Sequence, residues 1–301
     1  MKFPSASKLP TSGLDSASRD ARFNGESIEP EYSVPIGPEP PSLLSELREL
    51  WEYRELLFFQ TWRELKTRYM QTALGAIWVV LQPLAMMLIF TLFFGLLARL
   101  PSDNIPYPIF YFSGLLLWLF FAGALSGASG SLVGNTNLVT KVYFPRLILP
   151  LAAVFARMVD FAVAMTVLLG MMLFYGVSLS LQILLTFPIL LLTAILTVGL
   201  GIHLAAWNVK YRDVGHILPL LLQLLMFASP IIYSAKMVPE KWRMIYMLNP
   251  MVGLVGNFRA ALFGTPLDWP ALAVAVLFTL IISFRGVLAF QRMEENLADV
   301  I

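Results

Sequence analysis

Arg63-Glu64-Leu65-Lys66-Thr67-Arg68-Tyr69 leads within a few residues to Leu74-Gly75-Ala76-Ile77-Trp78 and then to Leu81-Gln82-Pro83-Leu84. A charged, amphipathic stretch therefore meets the start of an apolar one, with Gly75 at the joint. A helix that lies on a bilayer and then turns into it joins something outside the membrane mechanically to something inside. That arrangement suits a subunit driven from the cytoplasm better than it suits an enzyme or a passive anchor.

Composition agrees. The 301 residues are 58% hydrophobic and 13% charged, against about 25% charged in soluble domains. So much apolar surface must face lipid, and the fold class expected is an all-α polytopic membrane protein. The net charge of +2 makes no case for nucleic acid, because its distribution matters more than its sum. With no cysteine, disulfides, thiolate catalysis and thiolate-bound metals are excluded, and two histidines make a metal site a poor expectation. Residues 1–41 are rich in Ser, Pro, Gly and acids and have no apolar core of the kind a secretory signal needs. They read as a disordered cytoplasmic tail.

Residues 42–74 read as an amphipathic interfacial region. Leu43, Leu47, Leu50, Trp51, Leu57, Phe58, Trp62, Leu65 and Tyr69 recur at roughly helical spacing, with acids and bases on the other faces. Trp62 and Tyr69 suit headgroup level, Lys66 and Arg68 suit anionic lipid, and Glu64 precedes Arg68 in the favourable i,i+4 order. Residues 75–301 then form the membrane domain. A span needs about 20 apolar residues, and such stretches lie near 76–98, 108–130, 147–175, 180–207, 214–234 and 270–290. Six spans place both termini on one side.

Basic residues choose that side. Arg63, Lys66 and Arg68 precede the first span, Lys141 and Arg146 lie in the second loop, Lys210 and Arg212 in the fourth, and Arg292 follows the last, while the short external loops offer only Arg99, which predicts cytoplasmic termini. Lys236, Lys241, Arg243 and Arg259 in the long fifth loop weaken the contrast. Within that loop, Met247 to Val255 and Phe258 to Phe263 are too apolar for solvent and too broken for a span. Short re-entrant or interfacial helices between spans five and six are expected. No internal repeat pairs the first three spans with the last three.

The second loop ends Lys141-Val142-Tyr143-Phe144-Pro145-Arg146, aromatics beside two cations, and reads as an exposed knob able to plug a partner's groove. Asn135 or Thr136 could cap a short helix before it. The fourth loop, with Asn208, Tyr211, Arg212 and Asp213, has the same character, although both could be ordinary membrane-edge loops. Arg157 and Asp160 stand three apart on the third span, a pair expected to neutralise each other rather than relay protons. His203 reads as a packing residue, and Gly127, Gly130 and Gly134 have the spacing of a close helix contact.

The run from Leu50-Trp51-Glu52-Tyr53-Arg54-Glu55-Leu56 through Arg63 to Tyr69, Leu74 to Trp78 and Gln82-Pro83 resembles the opening of type-2 ATP-binding-cassette exporter permeases. More narrowly, it resembles the branch that exports O-antigen, capsule and teichoic acid. Lys141 to Arg146, Asn208 to Asp213, Ser229-Pro230-Ile231-Ile232-Tyr233 and Leu248-Asn249-Pro250-Met251 match further stations of that pattern, covering roughly residues 42–290.

The resemblance implies half of a homodimeric channel in a bacterial inner membrane, joined to two copies of a separate nucleotide-binding subunit. ATP and magnesium would belong to that partner, since no Gly-x-x-x-x-Gly-Lys-Ser/Thr loop occurs in this chain. Lys141 to Arg146 would be a coupling helix, Asn208 to Asp213 a second contact, and the helix ending at Tyr69 an interfacial element moving with both. The substrate implied is a lipid-linked polysaccharide. For its path, aromatic faces that let sugar rings slide are suitable, and Trp78, Phe93, Tyr107, Tyr111, Trp118, Tyr175 and Tyr233 are candidates beside their ordinary role as interface anchors. Export of another glycolipid or a drug is the alternative within the family. A membrane-embedded glycosyl- or acyltransferase would need an acid cluster, whereas Asp103, Asp213 and Asp268 are scattered; a proton-coupled carrier would need Arg157 and Asp160 to titrate.

Overall fold

Helix α4 (Tyr107–Gly134) reads YPIFYFSGLLLWLFFAGALSGASGSLVG, apolar on every face, and such a helix must be enclosed by protein or lipid. Its neighbours enclose it: Ile109 to Leu117 are almost wholly buried. A computed structural model describes residues 43–70, 75–178 and 180–300, and among these every regular element is helical. The tail expected over 1–41 lies outside the described residues, as do 42 and 71–74 of the interfacial region.

The other helices are α1 (Leu43–Glu52), α2 (Arg54–Tyr69), α3 (Trp78–Phe90), α5 (Thr136–Lys141), α6 (Ile148–Phe174), α7 (Thr186–Lys210), α8 (Val214–Phe227), α9 (Glu240–Met247), α10 (Pro250–Phe263) and α11 (Trp269–Val300). Helix α4 packs on α6, α7, α10, α3 and α8; α11 lies on α7 and α10, and α2 lies on α6. Five apolar stretches are long enough to cross a membrane: Gly75–Leu97, Tyr107–Gly134, Ile148–Phe174, Leu181–Lys210 and Trp269–Met293. They agree with five of the expected spans to within a few residues.

The remaining stretch, expected as a span over 214–234, is helical only to Phe227. At 14 residues α8 reaches about 21 Å, short of the roughly 30 Å hydrocarbon core. The cause is local. Pro230 disfavours helical backbone at Ser229, and the chain turns there with Ser229, Ile231 and Ile232 buried. The short helices expected in the following loop are present as α9 and α10. Asn249 starts α10 by accepting from the Met251 amide at 3.0 Å, while its amide donates to Ala228 O and Ser229 Oγ. Gly264, at φ 66°, ends α10 in the left-handed region that glycine tolerates.

Within lipid, burying apolar area contributes little, so helix contact depends on close packing. Helices α7 and α11 meet where a Cβ at Gly199 would lie 2.6 Å from Ser283 and one at Gly286 would strike the Gly199 carbonyl. Of the glycines whose spacing suggested a close contact, Gly127 faces Ala153 of α6, but nothing stands near a Cβ placed at Gly130 or Gly134. Helix α3 contains Pro83 and continues as a π turn over Thr91–Leu97. Its Leu88, Leu92, Phe93 and Leu96 are exposed, an apolar face turned away from the chain.

Candidate functional site

Three short elements converge at the end of the bundle where α4 hands over to α6. Helix α5 is the first. Asn135 occupies its N-cap position but does not cap it; the side chain turns back on α4, donating to Ser131 O at 2.8 Å and accepting from the Arg63 guanidinium of α2. Beyond α5 the expected knob divides. Tyr143 is 85% exposed, with Val142 and Lys141 exposed beside it. Phe144 is 5% exposed and packs with Leu132, Ile148, Leu149, Ile202, Ala205 and Phe290. The sequence expectation that both aromatics project outward is thus corrected: Phe144 is an internal anchor, because Pro145 turns the chain into α6 and directs that ring to the core. Pro145 and Arg146 are half-buried.

The α7–α8 corner is the second element. Tyr211, Arg212 and Asp213 are exposed, and Lys210 Nζ lies 5.2 Å from the Tyr211 ring centre. Asn208, expected to be part of the outward contact, is instead buried and donates to Ser129 O at 3.0 Å, tying α7 to α4. Val139 and Thr140 of α5 face Val209 and Arg212 across a depression of about 140 Å³, so the two corners form one continuous surface.

Helix α2 is the third. Trp62 and Lys66 are exposed, while Arg68 and Tyr69 are half-buried against α6. Asp160 receives Arg68 Nη1 at 2.7 Å and the Tyr69 hydroxyl at 2.8 Å, whereas Arg157 Nη1 stands at 3.4 Å. The Arg157–Asp160 pair expected from spacing therefore exists, but Arg68 is the closer partner. Arg68 also holds Glu64 at 3.2 Å. Burial, and then the Asp160 carboxylate, raise the Tyr69 phenol above its ordinary value, so it remains a neutral donor. Helix α2 is consequently fastened to the start of α5 through Arg63 and to α6 through Arg68 and Tyr69.

The aromatic candidates sort by burial. Tyr107, Tyr111 and Trp118 are buried within this chain and offer no face to a passing sugar, which corrects their place among path residues. Tyr111 stacks on Phe90 at 4.7 Å, Trp118 packs on Phe121 at 5.6 Å, and the Tyr107 hydroxyl donates to Ile232 O at 2.9 Å. Trp78, Phe93 and Tyr175 are exposed; Tyr233 is half-buried, its hydroxyl donating to Phe227 O. His203 leans on Trp207, with ring centres 4.8 Å apart.

Sequence reasoning missed Arg259. It counted as a loop charge, yet it is buried, with its guanidinium 3.7 Å from the Phe110 ring centre. It donates to Phe110 O at 3.1 Å, to Ile231 O at 2.7 Å and to Pro230 O. The signal was present: a lone arginine inside the apolar run from Phe258 to Phe263. A buried cation needs acceptors, and the turn forced by Pro230 supplies them.

A bundle of apolar spans, fed by an amphipathic helix and closed at one end by paired loops, is the plan of a membrane transport subunit. Residues 55–263 match the ABC-2 type transporter family, and the chain belongs to it. It is 32% identical over 260 residues to the O-antigen export system permease protein RfbA of Myxococcus xanthus, covering 85% of this chain and 98% of that one. It is 27% identical to an RfbA of Klebsiella pneumoniae over 82% of this chain and 95% of that one. The polysialic acid transport protein KpsM of Escherichia coli is 26% identical over 77% of this chain and 91% of its own length.

Proposed function

We propose that this chain is the membrane-spanning permease of an ATP-driven exporter that carries a lipid-linked polysaccharide from the cytoplasmic side of a bacterial inner membrane. Two copies form the path, and a separate nucleotide-binding subunit, with its ATP and magnesium, binds each copy. The observation that carries the reading is a near full-length likeness to permeases named for O-antigen and polysialic acid export. The chain's lack of a phosphate-binding loop supports placing hydrolysis in a partner.

In this reading the surface built from α5, Tyr143, Tyr211 and Arg212 seats on the ATPase. Closure of the partner subunits on ATP pushes α5. The Arg63–Asn135 contact passes that displacement to α2, and the grip of Arg68 and Tyr69 on Asp160 passes it to α6. A packed, hydrogen-bonded chain of this kind moves as a unit rather than deforming, so motion outside the bilayer becomes motion between spans.

Expression of the chain with a candidate nucleotide-binding subunit in a strain deleted for its own permease tests this. Co-purification of the two subunits and restored surface polysaccharide are expected. Export by this chain without any ATPase, or a stable complex that leaves polymer inside while a glycolipid or drug is pumped, would refute it.

A further inference from the structure

Residues of α2, α3, α4 and α6 line an open cavity of about 430 Å³ whose polar wall is Arg68, Tyr69, Gln82, Arg157 and Asp160. We propose that this cavity holds the phosphate of a membrane lipid headgroup, with Arg157 as its principal ligand.

The charge does not balance within the protein. Two guanidinium groups face the cavity and share one carboxylate. That carboxylate is already engaged at both oxygens by Arg68 and Tyr69, and the second cavity-facing guanidinium reaches it only at 3.4 Å. Arg68 has a second acid in Glu64; Arg157 has none, and its Nε is buried with no hydrogen-bond partner. An arginine left with spare donors at membrane depth is costly unless an acceptor arrives. Phosphate oxygens match a guanidinium fork in both charge and geometry.

The fold makes room for that guanidinium. A Cβ at Gly123 of α4 would lie 2.9 Å from Arg157 Nε, so the glycine lets the group lie flat against the helix. Arg157 is one-third exposed, so it can be reached from outside. The remaining wall includes Trp78, Phe120 and Phe161, apolar surface suited to the first carbons of an alkyl chain rather than to a free ion. A cavity of this size falls in the range of about 300–1,000 Å³ that small-molecule sites occupy.

This deepens the export reading and rests on it only for whose phosphate is held: that of the polymer's lipid carrier or that of an ordinary bilayer phospholipid. The test uses the full-length chain in detergent. Phenylglyoxal labelling of Arg157, followed by peptide mass spectrometry, is measured against farnesyl diphosphate, dihexanoylphosphatidic acid, dihexanoylglycerol and inorganic pyrophosphate, with affinities from calorimetry. Both phosphate lipids should protect Arg157. Arg157→Gln should weaken their binding by about tenfold or more, with Arg157→Lys intermediate. A preference for the prenyl diphosphate assigns the site to a diphosphate carrier, and equal affinity assigns it to bilayer phospholipid; both uphold a lipid phosphate. Pyrophosphate or dihexanoylglycerol binding as tightly as the lipids, or no protection by any probe, overturns it. Protection in the wild-type chain needs no variant to fold and neither ATPase nor polymer. A chain that exports polysaccharide but shows no protection therefore loses this site and keeps its function.

Discussion

Alanine at Tyr143 and alanine at Phe144 should break different things. Phe144 is 5% exposed within a cluster that joins α4, α6, α7 and α11. Truncating a buried phenylalanine costs about 3–5 kcal/mol through lost contacts and the cavity left behind. At about 2–4 °C per kcal/mol, the apparent melting temperature in nanodiscs should fall by on the order of 10 °C. Tyr143 is 85% exposed, so its truncation should change stability by no more than about 0.5 kcal/mol. If its ring fills a groove on the ATPase, losing it should cost about 2 kcal/mol of association or more, roughly a thirtyfold weaker complex. The assay pairs melting of each purified variant with its affinity for the ATPase subunit and with surface polysaccharide in vivo. Wild-type affinity and export in Tyr143→Ala would remove the docking role of this surface. Melting of Phe144→Ala within about a degree of wild type would show that the packing argument is wrong.

Asp160→Asn should leave Arg157 without a carboxylate and Arg68 with Glu64 alone, and should destabilise by about 1–3 kcal/mol, read as a lower melting temperature and as faster tryptic cleavage after Arg68 as α2 detaches. Tyr69→Phe should lose about 0.5–1.5 kcal/mol at neutral pH. Because the folded Tyr69 phenol is raised above its ordinary value, its contribution is complete below about pH 10 and fades as pH climbs toward the folded value. The stability gap between wild type and Tyr69→Phe should therefore narrow in alkaline unfolding scans, and a constant gap would sink the hydrogen bond to Asp160 as its source. Gly199→Leu should prevent α7 and α11 from closing, because a Cβ there already meets Ser283 at 2.6 Å; the yield of monodisperse protein on size exclusion measures it. Arg259→Met should leave the Pro230 and Ile231 carbonyls without a donor, the Phe110 carbonyl keeping the Ser113 hydroxyl, at about 1–3 kcal/mol for each that water cannot reach, and should raise hydrogen exchange around residues 228–234.

The spans were legible because lipid imposes a length and a composition that few other constraints imitate. The end of α8 was not, because hydropathy continues through Ile231 and Ile232 although Pro230 has already broken the helix. At the paired loops, sequence located both corners but could not orient neighbours. Tyr143 and Phe144 look alike on paper, and Asn208 looks as exposed as Tyr211; only packing distinguishes them. Sequence spacing paired Asp160 with Arg157, three residues away, and missed Arg68, which is 92 residues distant and the nearer partner. Local periodicity sees one helix at a time, and the interfacial cluster is made by two. Tyr107, Tyr111 and Trp118 were misjudged for the related reason that aromatics mark a membrane boundary and fill a core equally well.

The Arg259 clamp has a bearing on how the protein is made. Its guanidinium joins Phe110, 149 positions earlier, to Pro230 and Ile231, 29 and 28 positions earlier. A ribosome releases that arginine only after α4 and the turn beyond α8 have entered the bilayer. Until then the Pro230 and Ile231 carbonyls wait without their donor, and the turn beyond α8 stays unlatched from α4. A nascent chain that ends ahead of α10 and is held on the ribosome by a long carboxy-terminal linker should have its earlier spans inserted but its 228–234 turn open to protease, whereas the same chain extended through Arg259 should resist, a difference detectable by digestion of arrested translation intermediates.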